Sequence, residues 1–200
     1  MNNHSVFHKY FPVNTADYAF DLWQQYGFHF KVSRSRNTKL GDYRYNPKVK
    51  KHTITVNHDL NPYAFLVTYV HEVAHLVTFE QHGSRVQPHG IEWKTAFKEL
   101  MQPVLIAEVF PADLLATLTQ HMANPKASSL ADPALARALH KYDLKEATIY
   151  LSDLQEGAQF ILDKRVFEKQ KKRRSRALCL ELKTGKYFTV SEMAQVTPVE

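Results

Sequence analysis

Two histidines and a glutamate lie inside an apolar stretch of this 200-residue chain, and few folds tolerate such a placement. The run His71-Glu72-Val73-Ala74-His75 is flanked by Phe65, Leu66, Val67, Val70, Leu76 and Val77, which leave little for solvent. Asn61 is a good N-cap, Pro62 suits a first helical position and Gly83 a terminus, so the spacing predicts one long helix from Pro62 to His82. A helix that is apolar nearly all round is central to its domain. Residues four apart share a helix face, so His71 and His75 can turn ring nitrogens towards one ion. Glu72 lies about 100° further round, where a carboxylate reaches a water on that ion rather than the ion itself. A His-Glu-x-x-His pattern can arise by accident in a chain with 11 histidines. Buried ionisable groups are costly unless paired or bound to metal, however, and that argues for a real site.

A catalytic zinc takes three protein ligands and keeps a fourth position for water. The metzincin spacing would place the third ligand where Gln81 stands and a glycine where Thr78 stands. The thermolysin-like spacing lands on Thr95. His82 shares the right face but sits about 10 Å up the helix axis from His75, too far for a bond of about 2 Å. His89 remains. It ends a loop after Gly83 and precedes a second amphipathic helix, about residues 91–101, with Trp93, Phe97 and Leu100 on its buried side. Glu92 is a candidate to orient a ligand imidazole or, equally, an exposed helix residue.

The remaining pattern predicts an α+β chain. A helix over residues 15–26 ends at Gly27, and three alternating segments follow, starting near Phe28, Leu40 and His52. They read as a small three-stranded antiparallel sheet. Further helices start after Pro111 and at Asp132-Pro133. From about residue 149 short strands take over, with one strand spanning 158–167 and a basic hairpin tip at 169–176. The expected division is a first domain over 1–122, a helical linker over 123–148 and a small all-β, barrel-like appendage over 149–200. No run of about 18 apolar residues exists, so no membrane span is expected. The start lacks the pattern of a secretory signal, and Cys179 is the one cysteine, which excludes an internal disulfide and any cysteine-rich zinc module. Cytoplasm is the expected location.

Positive charge is concentrated. The net charge is +6 overall, yet residues 31–51 carry +7 and residues 163–176 carry +6, which leaves the rest acidic. Two basic patches are a common electrostatic footprint for nucleic acid, although solvated loops look the same. Lys48, Lys50 and Lys51 in the first patch, and Lys171, Lys172, Arg173, Arg174 and Arg176 in the second, are the candidate contacts. Tyr43 and Tyr45 lie among the first set and could stack on bases.

His-Glu-x-x-His, a short loop and then His89-Gly90-Ile91-Glu92-Trp93 resembles the SprT/Spartan group of zinc metalloproteases over roughly residues 10–105. The resemblance implies a zincin-like domain with one catalytic zinc ion on His71, His75 and His89, and Glu72 as general base. It also implies a protein substrate bound or crosslinked to DNA. The chain departs from the bacterial members in lacking a C-terminal four-cysteine zinc ribbon, so any route to DNA is not inherited from that pattern. The alternative reading is a zinc-containing nucleic-acid-associated protein with little or no peptidase activity.

Overall fold

Asn61 sets the start of the longest element. In the computed structural model, which describes residues 3–36, 38–143 and 149–199 (the side chains of Asn3, His4 and Leu130 apart), its side chain accepts from the Ala64 N–H at 3.0 Å. Pro62 follows, and α3 (Pro62–His82) runs to Gly83, whose N–H bonds back to Phe79. Every residue from Ala64 to Val70 on this helix is buried. Full burial of one large apolar side chain stabilises a fold by roughly 1.5–3 kcal/mol. Phe65, Leu66, Tyr69, Val70, Val73 and Leu76 are all at 0 % exposure, so the position of α3 is strongly determined before any polar contact is considered.

The chain divides into two compact units, residues 1–143 and 144–200. In the first, α1 (Asn3–Tyr10) and α2 (Ala16–Tyr26) precede β1 (His29–Ser33), β2 (Gly41–Asn46) and β3 (Lys51–Asn57). After α3 come α4 (Ile91–Met101), α5 (Ala112–Ala123) and α6 (Pro133–His140). α3 packs against α4 on one side and across β2 and β3 on another. Phe7 of α1, with Phe11, Phe30, Phe65 and Tyr69, builds an aromatic cluster on its N-terminal half. The sequence pattern passes over α1, a helix of eight residues.

The sheet is not antiparallel as expected. Its order is β1-β3-β2, and β1 runs parallel to the central β3 while β2 runs antiparallel. The reason is that the chain meets the end of β3 before it enters β2, where the Leu40 carbonyl accepts from the Asn57 N–H at 2.9 Å, instead of turning back beside β1. Asn57, 1 % exposed, pins that crossing. Its amide donates to the carbonyls of Arg36 and Lys39 at 3.2 and 2.9 Å. Its carbonyl oxygen accepts from Arg36 Nε at 2.8 Å and the Ser33 hydroxyl at 3.2 Å.

The segment 123–148, read as a linker, carries α6 into the core of the first unit, where Leu135, Ala138 and Leu139 are buried. Asn61 explains the attachment: besides capping α3, it donates to the Leu139 carbonyl at 2.9 Å. Residues 144–148 lie outside the described residues.

The second unit is a six-stranded antiparallel sheet of order β4-β9-β5-β6-β7-β8. The strands are β4 (Ile149–Tyr150), β5 (Gln159–Leu162), β6 (Arg165–Arg173), β7 (Arg176–Glu181), β8 (Tyr187–Ser191) and β9 (Gln195–Pro198). Among the described residues β4 and β8 are its edges, so the barrel-like closure expected from sequence is not formed by strand pairing. The single strand expected over 158–167 is a hairpin, because Asp163 and Lys164 take left-handed conformations (φ 51° and 64°) and Leu162 pairs with Arg165. The basic hairpin is therefore the second one, with Arg174 and Ser175 at its turn. Lys169 does not belong to its tip. It is 4 % exposed, its Nζ donates to the carbonyls of Leu151 and Leu154, and it lies 3.3 Å from Glu192.

Replacing Asn57 by alanine removes four hydrogen bonds and strands two carbonyls at the crossing. At about 1 kcal/mol per net bond, Asn57→Ala should lower unfolding stability by roughly 2–4 kcal/mol, read from the urea midpoint at constant slope.

Candidate metal centre

His71 and His75 are one turn apart on α3, and a loop brings His89 to the same point. His89 takes a left-handed backbone (φ 62°), uncommon for a residue with a side chain, which turns the chain sharply into α4. The three Nε2 atoms lie 3.2, 3.0 and 3.2 Å apart. These contacts cannot all be hydrogen bonds: a ring nitrogen that carries its proton cannot accept, and one without it cannot donate. Three nitrogens bound tetrahedrally at about 2.0–2.1 Å from one ion lie about 3.3 Å apart. The donor set thus fits a metal ion, and among the described residues these three histidines form a group able to hold one.

The surroundings suit that task. Burial holds the His71 ring well below its usual pKa, with the neighbouring imidazoles adding to the effect. Burial likewise lowers His75 to about 4 and lowers His89. Neutral imidazoles with free lone pairs are what a divalent metal requires. Trp93, at 0 % exposure, underlies all three rings, with centroid distances of 4.6, 5.4 and 4.7 Å to His71, His75 and His89. Tyr43 stacks on His75 at 6.4 Å and 10°. Glu92 lies in the first turn of α4 and, among the described residues, makes no hydrogen bond to any of the three imidazoles.

Glu72 is 7 % exposed and points towards β2. Its carboxylate accepts from the Tyr43 backbone N–H. Burial pushes its pKa up to about 8, Asp42 adds to the rise, and Arg36, Lys39 and the Tyr43 N–H pull the other way. A Cβ at Gly41 would stand 2.5 Å from Glu72 Oε1 and 2.7 Å from Thr68 Cγ2, so only glycine lets the strand approach this closely. Glycine inside an alternating strand is the signal that could have flagged this position in the sequence. An open cleft, edged by Gly41, Tyr43, Pro88 and Ala127, exposes His71, Glu72, His75 and His89 together.

The basic candidates are exposed and lie on different units. Lys48, Lys50 and Lys51 surround the β2–β3 turn, whereas Lys171, Lys172, Arg173, Arg174 and Arg176 line the β6–β7 hairpin. Two of the latter are partly engaged: Lys172 Nζ lies 3.7 Å from Glu192, and Arg176 donates to the Thr189 carbonyl at 3.3 Å. Tyr43 and Tyr45 are not free for base stacking. Tyr43 bonds His52 Nδ1 at 2.9 Å, and Tyr45 packs on His52 and Phe79 at 4.8 and 4.6 Å. Among the described residues no helix is long and apolar enough to cross a membrane.

Comparison with known proteins finds one family. A model described as the SprT-like family matches residues 8–115. No curated protein sequence and no solved structure matches the chain. The matched span takes in the sheet, α3, the loop that carries His89 and α4, while α6 and the second unit lie beyond it. With more than half of its length matched, and the three histidines inside the match, the chain belongs to the SprT-like family.

Proposed function

We propose that the chain is a zinc-dependent endopeptidase of the SprT-like type, with one zinc ion held by His71, His75 and His89 and Glu72 as general base. The observation that supports this reading most directly is the convergence of three neutral ring nitrogens beside a buried carboxylate in an open cleft. When bound, zinc supplies a Lewis acid that polarises a peptide carbonyl and eases deprotonation of water. Glu72 takes the proton of the attacking water and passes it to the departing amine. The Tyr43 N–H fixes the carboxylate, and Gly41 leaves room for it. A buried carboxylate with a raised pKa is a poor base while protonated, and a divalent cation next to it favours the ionised form. With an ion held by the three histidines, Glu72 would stay ionised and able to accept a proton. β2 is an edge strand of its sheet and borders the cleft, so an extended polypeptide can lie along it.

Proteins bound or crosslinked to DNA are the proposed substrates. The support is the two exposed basic clusters together with the family.

Glu72→Gln should retain one metal ion per chain while hydrolysis of an unfolded protein falls by roughly 10²–10⁴, the usual worth of a general base. Metal analysis and gel-based proteolysis measure the two; cleavage at the parent rate would leave the chain a metal-binding, nucleic-acid-associated protein.

His89→Asn keeps a residue that tolerates the left-handed backbone but lacks a ring nitrogen. Its zinc affinity, read by chelator competition, should fall by more than the roughly 10–100-fold that losing an outer partner of a ligand costs.

Neutralising Lys171, Lys172, Arg173 and Arg174 together should weaken DNA binding regardless of base sequence. It should also flatten the dependence of log affinity on log salt by about 0.9 for each phosphate no longer neutralised, measured by fluorescence anisotropy.

A further inference from the structure

A second cavity, about 190 Å³, adjoins the cleft and shares Gly41, His71, Glu72 and Ala127 with it. It has room for several waters at about 30 Å³ each. Its wall includes His121, which α5 contributes and whose side chain is only 3 % exposed. His121 Nδ1 is 2.8 Å from Asp132 Oδ2. Burial raises the Asp132 pKa, but the His121 contact, the Leu135 N–H and Lys126 more than offset this and hold it below the ordinary value. Asp132 is therefore a carboxylate near neutrality and accepts Nδ1–H. In the neutral ring Nε2 then carries a lone pair, and it is the polar atom left for the cavity that the ring lines. A tie between α5 and α6 would need Nδ1 alone. Both residues lie outside the family match, which ends at residue 115.

Peptide hydrolysis sends two protons from one water to the amine, which leaves as an ammonium while the acid leaves as a carboxylate. Glu72 carries the first, on the reading proposed above. We propose that His121 is a further catalytic residue that carries the second. Its Nε2 takes the proton of the remaining O–H as the C–N bond breaks and the carboxylate forms, then gives that proton to the released amine. The ring ends neutral and no other reactant is consumed. Asp132 is its positioning residue, fixing the tautomer and ring orientation.

The two protons separate this role from a structural one. An ester of the same sequence releases an alcohol, which needs one proton, so its hydrolysis should depend on His121 far less. The zinc-loaded full chain, His121→Phe and Asp132→Asn are compared on a peptide and its matched depsipeptide, with zinc content and melting temperature measured alongside. His121→Phe should lower kcat for the peptide roughly 100-fold with KM within a few-fold, and kcat for the ester less than about five-fold. Asp132→Asn keeps a good cap on α6 but presents a donor to Nδ1, and should shift the peptide-to-ester ratio in the same direction. Should His121→Phe fail to fold, Asp132→Asn decides. Equal losses on both substrates, or no loss on either, overturn the role of His121. A parent that cleaves neither substrate overturns the peptidase reading and this inference with it. A parent that cleaves both, with Glu72→Gln inactive and His121→Phe unimpaired, removes this inference alone.

Discussion

The burial of α3 is the constraint on which the rest depends. A helix held on nearly every face cannot shift to suit a ligand, so His71 and His75 are fixed by apolar packing and not by the metal they could share. Six side chains at 0 % exposure contribute on the order of 10 kcal/mol between them, against roughly 1–3 kcal/mol for each buried polar group that lacks a partner. The apolar term wins, and the site is organised in advance. Trp93 extends the same logic to His89: one buried indole underlies all three rings, so the loop histidine rests on the core and not on loop stiffness alone.

The mixed sheet has a consequence for the same site. An ordinary meander would have returned β2 beside β1. By crossing β3, the chain delivers Lys39, Leu40 and Gly41 to the strand edge that faces Glu72. Asn57 is thus the residue that holds the crossing and with it the Gly41–Tyr43 contact to the carboxylate. Packing sets the histidines, and strand topology sets the glutamate.

What could be read from sequence was local. The i, i+4 spacing of His71 and His75, the Asn61-Pro62 start and the Gly27 and Gly83 stops are each decided within one or two helical turns, and each holds in the structure. Alternation identified β1 as a strand but carries no information about its partner or direction, so the parallel pairing was not legible. Asp163-Lys164 was hidden because neither residue demands a left-handed conformation, although Asp tolerates one. Lys169 looked like part of a charged tip because burial of an ammonium depends on Glu192 and two carbonyls that meet it only in the folded sheet. His121 stood beyond any spacing rule: its relation to Glu72 exists only through a shared cavity wall.

The family match stops at residue 115, yet the first unit does not. Asn61 caps α3 with its carbonyl oxygen and, with its amide, holds the Leu139 carbonyl and the Asp143 carboxylate, at 2.9 and 2.7 Å. The start of α3 and the end of α6 are therefore anchored by the same side chain. Between α5 and α6 the chain passes through Ala127, which lines both cavities beside Glu72. Loss of α6 from the core would release one end of that passage and remove the Asp132 partner of His121 together. Through Ala127 the segment past the family boundary is for this reason part of the cleft wall.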